Sequence, residues 1–106
     1  MSDSLEDLQV RIVAWHSARF PDAGPEHVAL KICEEAGEVG RAVNSYLEVN
    51  DAHDYDEGSV QSECADTLIA SLVLLGRWFP EGGSLLQLLE RKVTILETPG
   101  AHRASA

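Results

Sequence analysis

The amino-acid sequence predicts an all-α protein built as a four-helix-type bundle. Apolar residues recur at a spacing near 3.6 residues in four segments, and no segment shows the period-two alternation of a half-buried strand. Prolines and glycines separate the segments near residues 21–25, 80–83 and 99–100. A chain of 106 residues is long enough for one domain. We therefore expect residues 1–98 to form a single helical domain and residues 99–106 to form a loose C-terminal tail.

The first two predicted helices flank the break at Pro21. Helix 1 is expected over residues 4–19, with Ser4 as its N-cap and an apolar stripe that ends at Trp15, interpreted as a core residue. Helix 2 is expected from Pro25, a residue suited to the first helical position, to about Leu47.

The other two predicted helices follow a polar loop, VNDAHDYDEG. Helix 3 is expected to begin near Ser59 as its N-cap and to end at the Phe79-Pro80 break. Apolar residues surround it on nearly all sides, which predicts a central position. Helix 4 is expected to follow Ser84 as its N-cap and to stop before Pro99.

Charge and composition exclude several kinds of partner. The chain has 18 acidic residues against eight Lys and Arg, a net charge of −10 that disfavours nucleic acids and anionic membranes. The longest apolar run, TLIASLVLLG, is about half of a membrane span. Cys33 and Cys64 make no disulfide framework and are interpreted as small packing residues. With no signal-peptide pattern, we expect a cytoplasmic protein.

Four carboxylates lie where apolar side chains are expected. On a helical wheel, Glu35 falls inside the apolar arc of helix 2 and Glu38 lies at its edge, one turn later. Glu63 and Asp66 repeat this spacing on helix 3. Antiparallel packing would bring both pairs together, and two carboxylates about 4 Å apart repel by about 4 kcal/mol at an effective dielectric near 20. Such a cluster is expected to recruit a divalent cation.

The ligand atoms indicate which cation. Carboxylate oxygens suit Mg²⁺, with Mn²⁺ as a substitute, whereas a di-iron bundle would need Glu-x-x-His on two helices. Magnesium held by a few carboxylates retains positions that substrate phosphates can occupy. The acidic charge is also concentrated here, because residues 34–66 hold ten acids and one base, Arg41.

The segments LKICEEAGEVGRAV and SECADTLIASLVLL resemble the MazG-like, all-α nucleoside triphosphate pyrophosphohydrolase superfamily, whose signature is E-x-x-E followed by E-x-x-D on two antiparallel helices. The resemblance covers residues 27–79. It implies a hydrolase that uses Mg²⁺ to cleave an NTP or dNTP to the nucleoside monophosphate and pyrophosphate. It also implies a homodimer or homotetramer, which the all-round apolarity of helix 3 favours.

The resemblance further implies roles for individual residues. It assigns Mg²⁺ binding to Glu35, Glu38, Glu63 and Asp66, and orientation of the attacking water to one of the catalytic pair Glu35 and Glu38. For the substrate phosphates, Lys92 is the match to a lysine after the last motif. Lys31 and Arg41 are further candidates because they lie near Glu38 on the same helix, and the resemblance does not assign them.

Two alternative functions remain open at this stage. Phosphoribosyl-ATP pyrophosphohydrolases share both acidic motifs, but that family generally has Tyr-His where this chain has Ile69-Ala70. The second alternative is a non-catalytic helical interaction module that retains the fold, which the small number of basic residues favours.

Overall fold

A computed structural model describes residues 4–48, 57–80 and 84–100, and of Glu57 it describes the backbone only. Its regular elements within these ranges are four helices, α1 (Leu5–Arg19), α2 (Pro25–Leu47), α3 (Glu57–Trp78) and α4 (Leu85–Glu97). The all-α class predicted from apolar periodicity is confirmed. Most of the expected C-terminal tail, residues 101–106, and the greater part of the polar loop lie outside the described residues.

The helix ends largely follow the predicted signals. The Ser4 Oγ accepts a hydrogen bond from the Asp7 N–H at 3.1 Å, and the Ser84 Oγ accepts one from the Gln87 N–H at 3.2 Å, so both N-caps are confirmed. The start of α3 differs, because the helix begins at Glu57 and Ser59 lies inside it. A polar first turn adds no apolar periodicity, so the sequence pattern did not indicate it.

The helices contact one another in the spatial order α2, α3, α1, α4. The most extensive packing joins α2 and α3, which run antiparallel, so that Val28 shares a cavity wall with Val73 while Glu35 meets Asp66. The described residues that are buried all belong to these two helices: Val28, Ala42, Ala70 and Val73. Because two of these four are alanines, the α2 and α3 backbones can approach closely.

Contact between α1 and α3 depends on a glycine. A Cβ atom placed on Gly76 would lie 2.5 Å from the Val13 Cγ2, so the helices could not keep this separation with a larger residue. Nearby, the Gln9 amide Nε2 donates a hydrogen bond to the Leu72 carbonyl at 3.0 Å. The two contacts fix the position of α1 along α3.

Arg77 joins the C-terminal ends of the same two helices. Its Nη1 donates to the Phe20 carbonyl at 3.0 Å and lies 2.9 Å from the His16 Nδ1. The guanidinium carbon is also 4.5 Å from the ring centre of Trp78, a cation–π distance. Arg77 therefore adds a second hydrogen bond to the Phe20 carbonyl, which also accepts one from the Ala23 N–H at 3.2 Å, and links the end of α1 to α3.

Several side chains are more exposed than the sequence indicates. Trp15 is 56% exposed, so its interpretation as a core residue is wrong, and Cys33 and Cys64 are exposed free thiols rather than packing residues. Leu68 on α3 is 66% exposed. Among the described residues, the central helix α3 packs against α2 and α1. Part of its apolar surface is therefore not covered by either helix.

Helix α4 is attached mainly at its N-terminus. The Glu6 carboxylate of α1 accepts hydrogen bonds from the Ser84 Oγ at 2.8 Å and from the Leu86 N–H at 3.0 Å. No α4 residue is fully buried. Among the described helices, none combines the length and apolarity needed to cross a membrane.

Candidate functional site

Three carboxylates from α2 and α3 converge on one point. Glu35, Glu63 and Asp66 each place one oxygen so that the three oxygens lie within 4.8 Å of one another, and all three residues are half-buried. Their meeting follows from the antiparallel packing of α2 on α3, because the i,i+3 pair of α3 faces the turn of α2 that carries Glu35. We call these residues the carboxylate triad.

Glu38 lies at the edge of the triad. Its Oε1 accepts a close hydrogen bond from the Arg41 Nη1, one turn along α2, and its oxygens are not among those that converge. The side chain is 32% exposed, whereas that of Arg41 is 62% exposed. The structure thus brings together three of the four predicted metal ligands, and an i,i+3 ion pair draws the fourth toward Arg41.

The electrostatics of the cluster appear most clearly at Glu63. Its pKa is raised above the usual value, first by loss of contact with water and then by the negative charges of Glu38, Asp66 and Glu35. Arg41 acts in the opposite direction. Because the cluster disfavours the ionised form of Glu63, a bound cation would relieve a repulsion that the fold imposes.

The donor set of the triad fits a hard divalent cation. Three carboxylate oxygens from two helices could hold Mg²⁺, and Mn²⁺ accepts the same ligands. Three protein ligands leave the remaining octahedral positions of Mg²⁺ to water or substrate oxygens. Among the described residues, no histidine or cysteine joins this group, and those are the ligands that would favour zinc or copper.

A cavity of about 760 Å³ adjoins the triad, and its size is typical of small-molecule sites. Glu35 and Asp66 belong both to the triad and to the cavity wall. The remaining wall combines apolar, aromatic and basic side chains from the first three helices and the α1–α2 connection. They include Ile12, Trp15, His16, Arg19, Phe20, His27, Val28, Lys31, Ile69, Ala70 and Val73.

An aromatic cluster from the end of α1 forms part of this wall. The ring centres of Trp15 and Phe20 are 5.9 Å apart in an edge-to-face arrangement, and those of His16 and Phe20 are 5.1 Å apart. The sequence favoured a core position for Trp15 over stacking on a base, and it indicated no role for His16 or Phe20. The grouping of a tryptophan, a histidine and a phenylalanine just before the break at Pro21 is the signal that would have indicated this part of the wall.

His16 is held as a neutral acceptor. Partial burial lowers its pKa, and the positive charge of Arg77 lowers it further. Because guanidinium groups only donate, the contact from the Arg77 Nη1 requires an unprotonated Nδ1 on His16. The proton of the neutral ring is therefore assigned to Nε2.

The predicted phosphate-binding residues occupy three different environments. Lys31 lines the cavity, and its Nζ is 4.0 Å from the Oε1 of Glu34 in an exposed pair. Arg41 pairs with Glu38 beside the triad. Lys92 lies on α4, which contacts α1, and is not part of the cavity wall. Arg19, which the sequence did not single out, is a second cation on that wall.

Comparisons with known proteins give no family. No protein-family model matches the chain, and no curated protein or solved structure matches it. What the findings establish is an all-α protein of four packed helices.

Proposed function

We propose that the protein is a Mg²⁺-dependent hydrolase that cleaves an NTP or dNTP to the nucleoside monophosphate and pyrophosphate. One observation carries the proposal: a cavity of nucleotide-compatible size shares Glu35 and Asp66 with the carboxylate triad. A ligand in this cavity would have cation-binding oxygens and aromatic side chains within its reach. Phosphoryl transfer requires mainly positioning and charge neutralisation, so this small set of groups is chemically sufficient.

In this proposal Glu35, Glu63 and Asp66 hold the Mg²⁺ ion. Bound there, the ion would neutralise phosphate charge and favour ionisation of a coordinated water. The proposal gives Glu38, which lies beside the triad but outside its convergence point, the role of orienting the attacking water and accepting its proton. The water oxygen bonds to the α-phosphorus while the bond to the α,β-bridging oxygen breaks, and pyrophosphate leaves.

The cavity wall supplies the remaining contacts. Lys31 and Arg19 are the cations available to phosphate oxygens, and the rings of Trp15 and Phe20 offer stacking surfaces to a base. Stacking tolerates every base, which agrees with a nucleotide substrate but does not select among bases.

Self-association into a dimer or tetramer is also part of the proposal. Leu30, Leu68 and Val10 are each about two-thirds exposed, on three different helices. The exposure of these three large apolar side chains supports the proposal that another subunit covers part of this surface.

A pyrophosphate-release screen across NTPs, dNTPs and phosphoribosyl-ATP, with Mg²⁺ or Mn²⁺, tests the activity. We expect Glu35→Gln to lower kcat/KM by about 100-fold or more, since one transition-state charge contact is typically worth that much. Glu90→Gln is the matched control, because Glu90 is exposed on α4 and lies outside both the triad and the cavity wall. Absence of pyrophosphate release from every nucleotide, or equal activity of both variants, would refute the proposal.

A non-catalytic helical module is the second candidate. The observation that favours it is the engagement of two candidate phosphate ligands by carboxylates, Lys31 by Glu34 and Arg41 by Glu38. Calorimetry with a non-hydrolysable nucleotide and Mg²⁺ separates the two functions. Saturable binding supports the hydrolase, and no binding supports the module.

A further inference from the structure

Helix α4 carries an apolar stripe with coiled-coil spacing. Leu86, Leu89, Val93 and Leu96 follow one another at intervals of three, four and three residues, which is the a/d pattern of a heptad repeat. Their exposed fractions are 42, 43, 52 and 60%. We call these four residues the α4 stripe.

Within the part of the chain that the structure describes, the stripe faces away from the other helices. On α4 the half-buried residues are Leu85 and Leu88, which lie with Val10 and Val13 of α1 along one groove. From Leu89 to Gly100 every residue is exposed. A helix of 13 residues is only marginally stable without packing, so the outer half of α4 needs a surface to cover its apolar side.

The charges beside the stripe indicate what that surface is. Glu90 and Glu97 occupy the e positions along one edge, and Lys92 occupies a g position along the other. In a parallel pair of identical helices, a g residue faces the e residue five positions later on the partner, so Lys92 would face the partner subunit's Glu97. An antiparallel pair would instead set the two acidic edges against each other.

We propose that α4 is a self-association element, which pairs in parallel with α4 of a second copy across a two-fold axis. The interface is isologous, with the α4 stripe of each copy at its centre and Lys92 beside the partner subunit's Glu97 at its edge. This pairing gives the proposed self-association a surface and an orientation. The interface contains no residue of the carboxylate triad or of the cavity wall, so its test is independent of the hydrolase activity.

The mass of the full chain in solution is the first test. Sedimentation equilibrium should give twice the 11.5 kDa chain mass, or a higher multiple built from such dimers. Leu89→Asp combined with Val93→Asp should halve that mass, while circular dichroism shows that the protein remains predominantly helical. Leu47→Asp is the control, since Leu47 is 66% exposed at the end of α2 and should leave α4 pairing intact. A monomer at all concentrations, or an unchanged mass in the double variant, overturns the proposal.

A charge-swap series tests the orientation. Lys92→Glu and Glu97→Lys should each weaken dimerisation by about tenfold, because two symmetry-related ion pairs become repulsive contacts. The double variant restores the attraction and should return the dissociation constant toward that of the natural chain. In an antiparallel pair Glu97→Lys would strengthen dimerisation instead, and that result would overturn the parallel arrangement.

Discussion

The α2–α3 pair and helix α4 use similar amphipathic sequences in opposite ways. The apolar arc of α2 meets α3 along much of its length, and every buried residue that the structure describes lies on these two helices. The apolar side of α4 meets α1 only near its beginning, and no residue of α4 is fully buried. One region is a packed framework, and the other is a helix attached at one end.

The difference matters because the carboxylate triad lies on the packed region. Like charges that converge repel one another, so they stay together only where the surrounding packing keeps their helices in place. Helix α4 carries no such group, and its exposed apolar stripe can serve contacts outside the subunit. Four predictions, from the largest expected effect to the smallest, test this division.

Overpacking the α2–α3 interface should have the largest effect on stability. Ala42 is completely covered, so Ala42→Leu is expected to lower the free energy of unfolding by about 1–3 kcal/mol. Ala65→Leu, at an exposed position of α3, should change it little. Urea denaturation at one fixed protein concentration measures both. If the two variants were equally stable, the packed framework would not lie where we describe it.

Removal of the exposed ring on the cavity wall should weaken nucleotide binding. Trp15→Ala is expected to raise the dissociation constant of a non-hydrolysable nucleotide by about tenfold, the usual effect of losing one stacking ring. Trp15→Phe retains a ring and should recover most of the affinity. Calorimetry in the presence of Mg²⁺ measures the series, and equal affinities for the alanine and phenylalanine variants would contradict a stacking role.

Loss of the α4 N-cap should affect that helix alone. Ser84→Ala removes the hydrogen bond to the Gln87 N–H and the one to Glu6, and should cost about 1 kcal/mol. We expect amide exchange in α4 to accelerate by about fivefold while exchange in α2 and α3 stays the same. Ser4→Ala removes the matching cap of α1 and provides the comparison. Uniformly faster exchange would show that α4 unfolds together with the framework.

The smallest expected effect is a pH dependence at His16. Its pKa is lower in the folded protein, so below pH 6.5 the unfolded chain binds more protons at this position than the folded chain. The free energy of unfolding should therefore fall as the pH decreases from 6.5 through the pKa of the folded state. His16→Gln should make the profile flatter. The contribution of Glu63 has the opposite sign because its pKa is raised, but it is common to both proteins and cancels in their difference.

Local signals in the sequence were sufficient to predict where most helices begin and end. Ser4, Pro25 and Ser84 act through hydrogen bonds or backbone restrictions within one turn, and the structure has all three at the predicted positions. Ser59 gave the same signal but lies inside α3. The preceding residues can also be helical, and only their conformation in the folded chain distinguishes a cap from a first turn.

The candidate site was predictable in part. The wheel positions of Glu35, Glu63 and Asp66 indicated their convergence, because helical periodicity fixes which face a residue occupies. The pairing of Glu38 with Arg41 was not predictable. A carboxylate can bind either a metal ion or an arginine one turn along its own helix, and the sequence does not decide between the two. The exposed position of Trp15 was not predictable either, because an apolar stripe shows which face is apolar but not what covers it.

By itself, the sequence determined that this protein is all-α, where most of its helices begin and end, and which carboxylates share a helical face. Those properties depend on hydrogen bonds and side-chain spacing within a few residues. Tertiary structure alone decided that α1 leaves an aromatic-walled cavity beside the carboxylate triad and that α4 projects with its apolar stripe uncovered. Both depend on contacts between residues far apart in the chain, and the periodicity of a single helix contains no information about its neighbour.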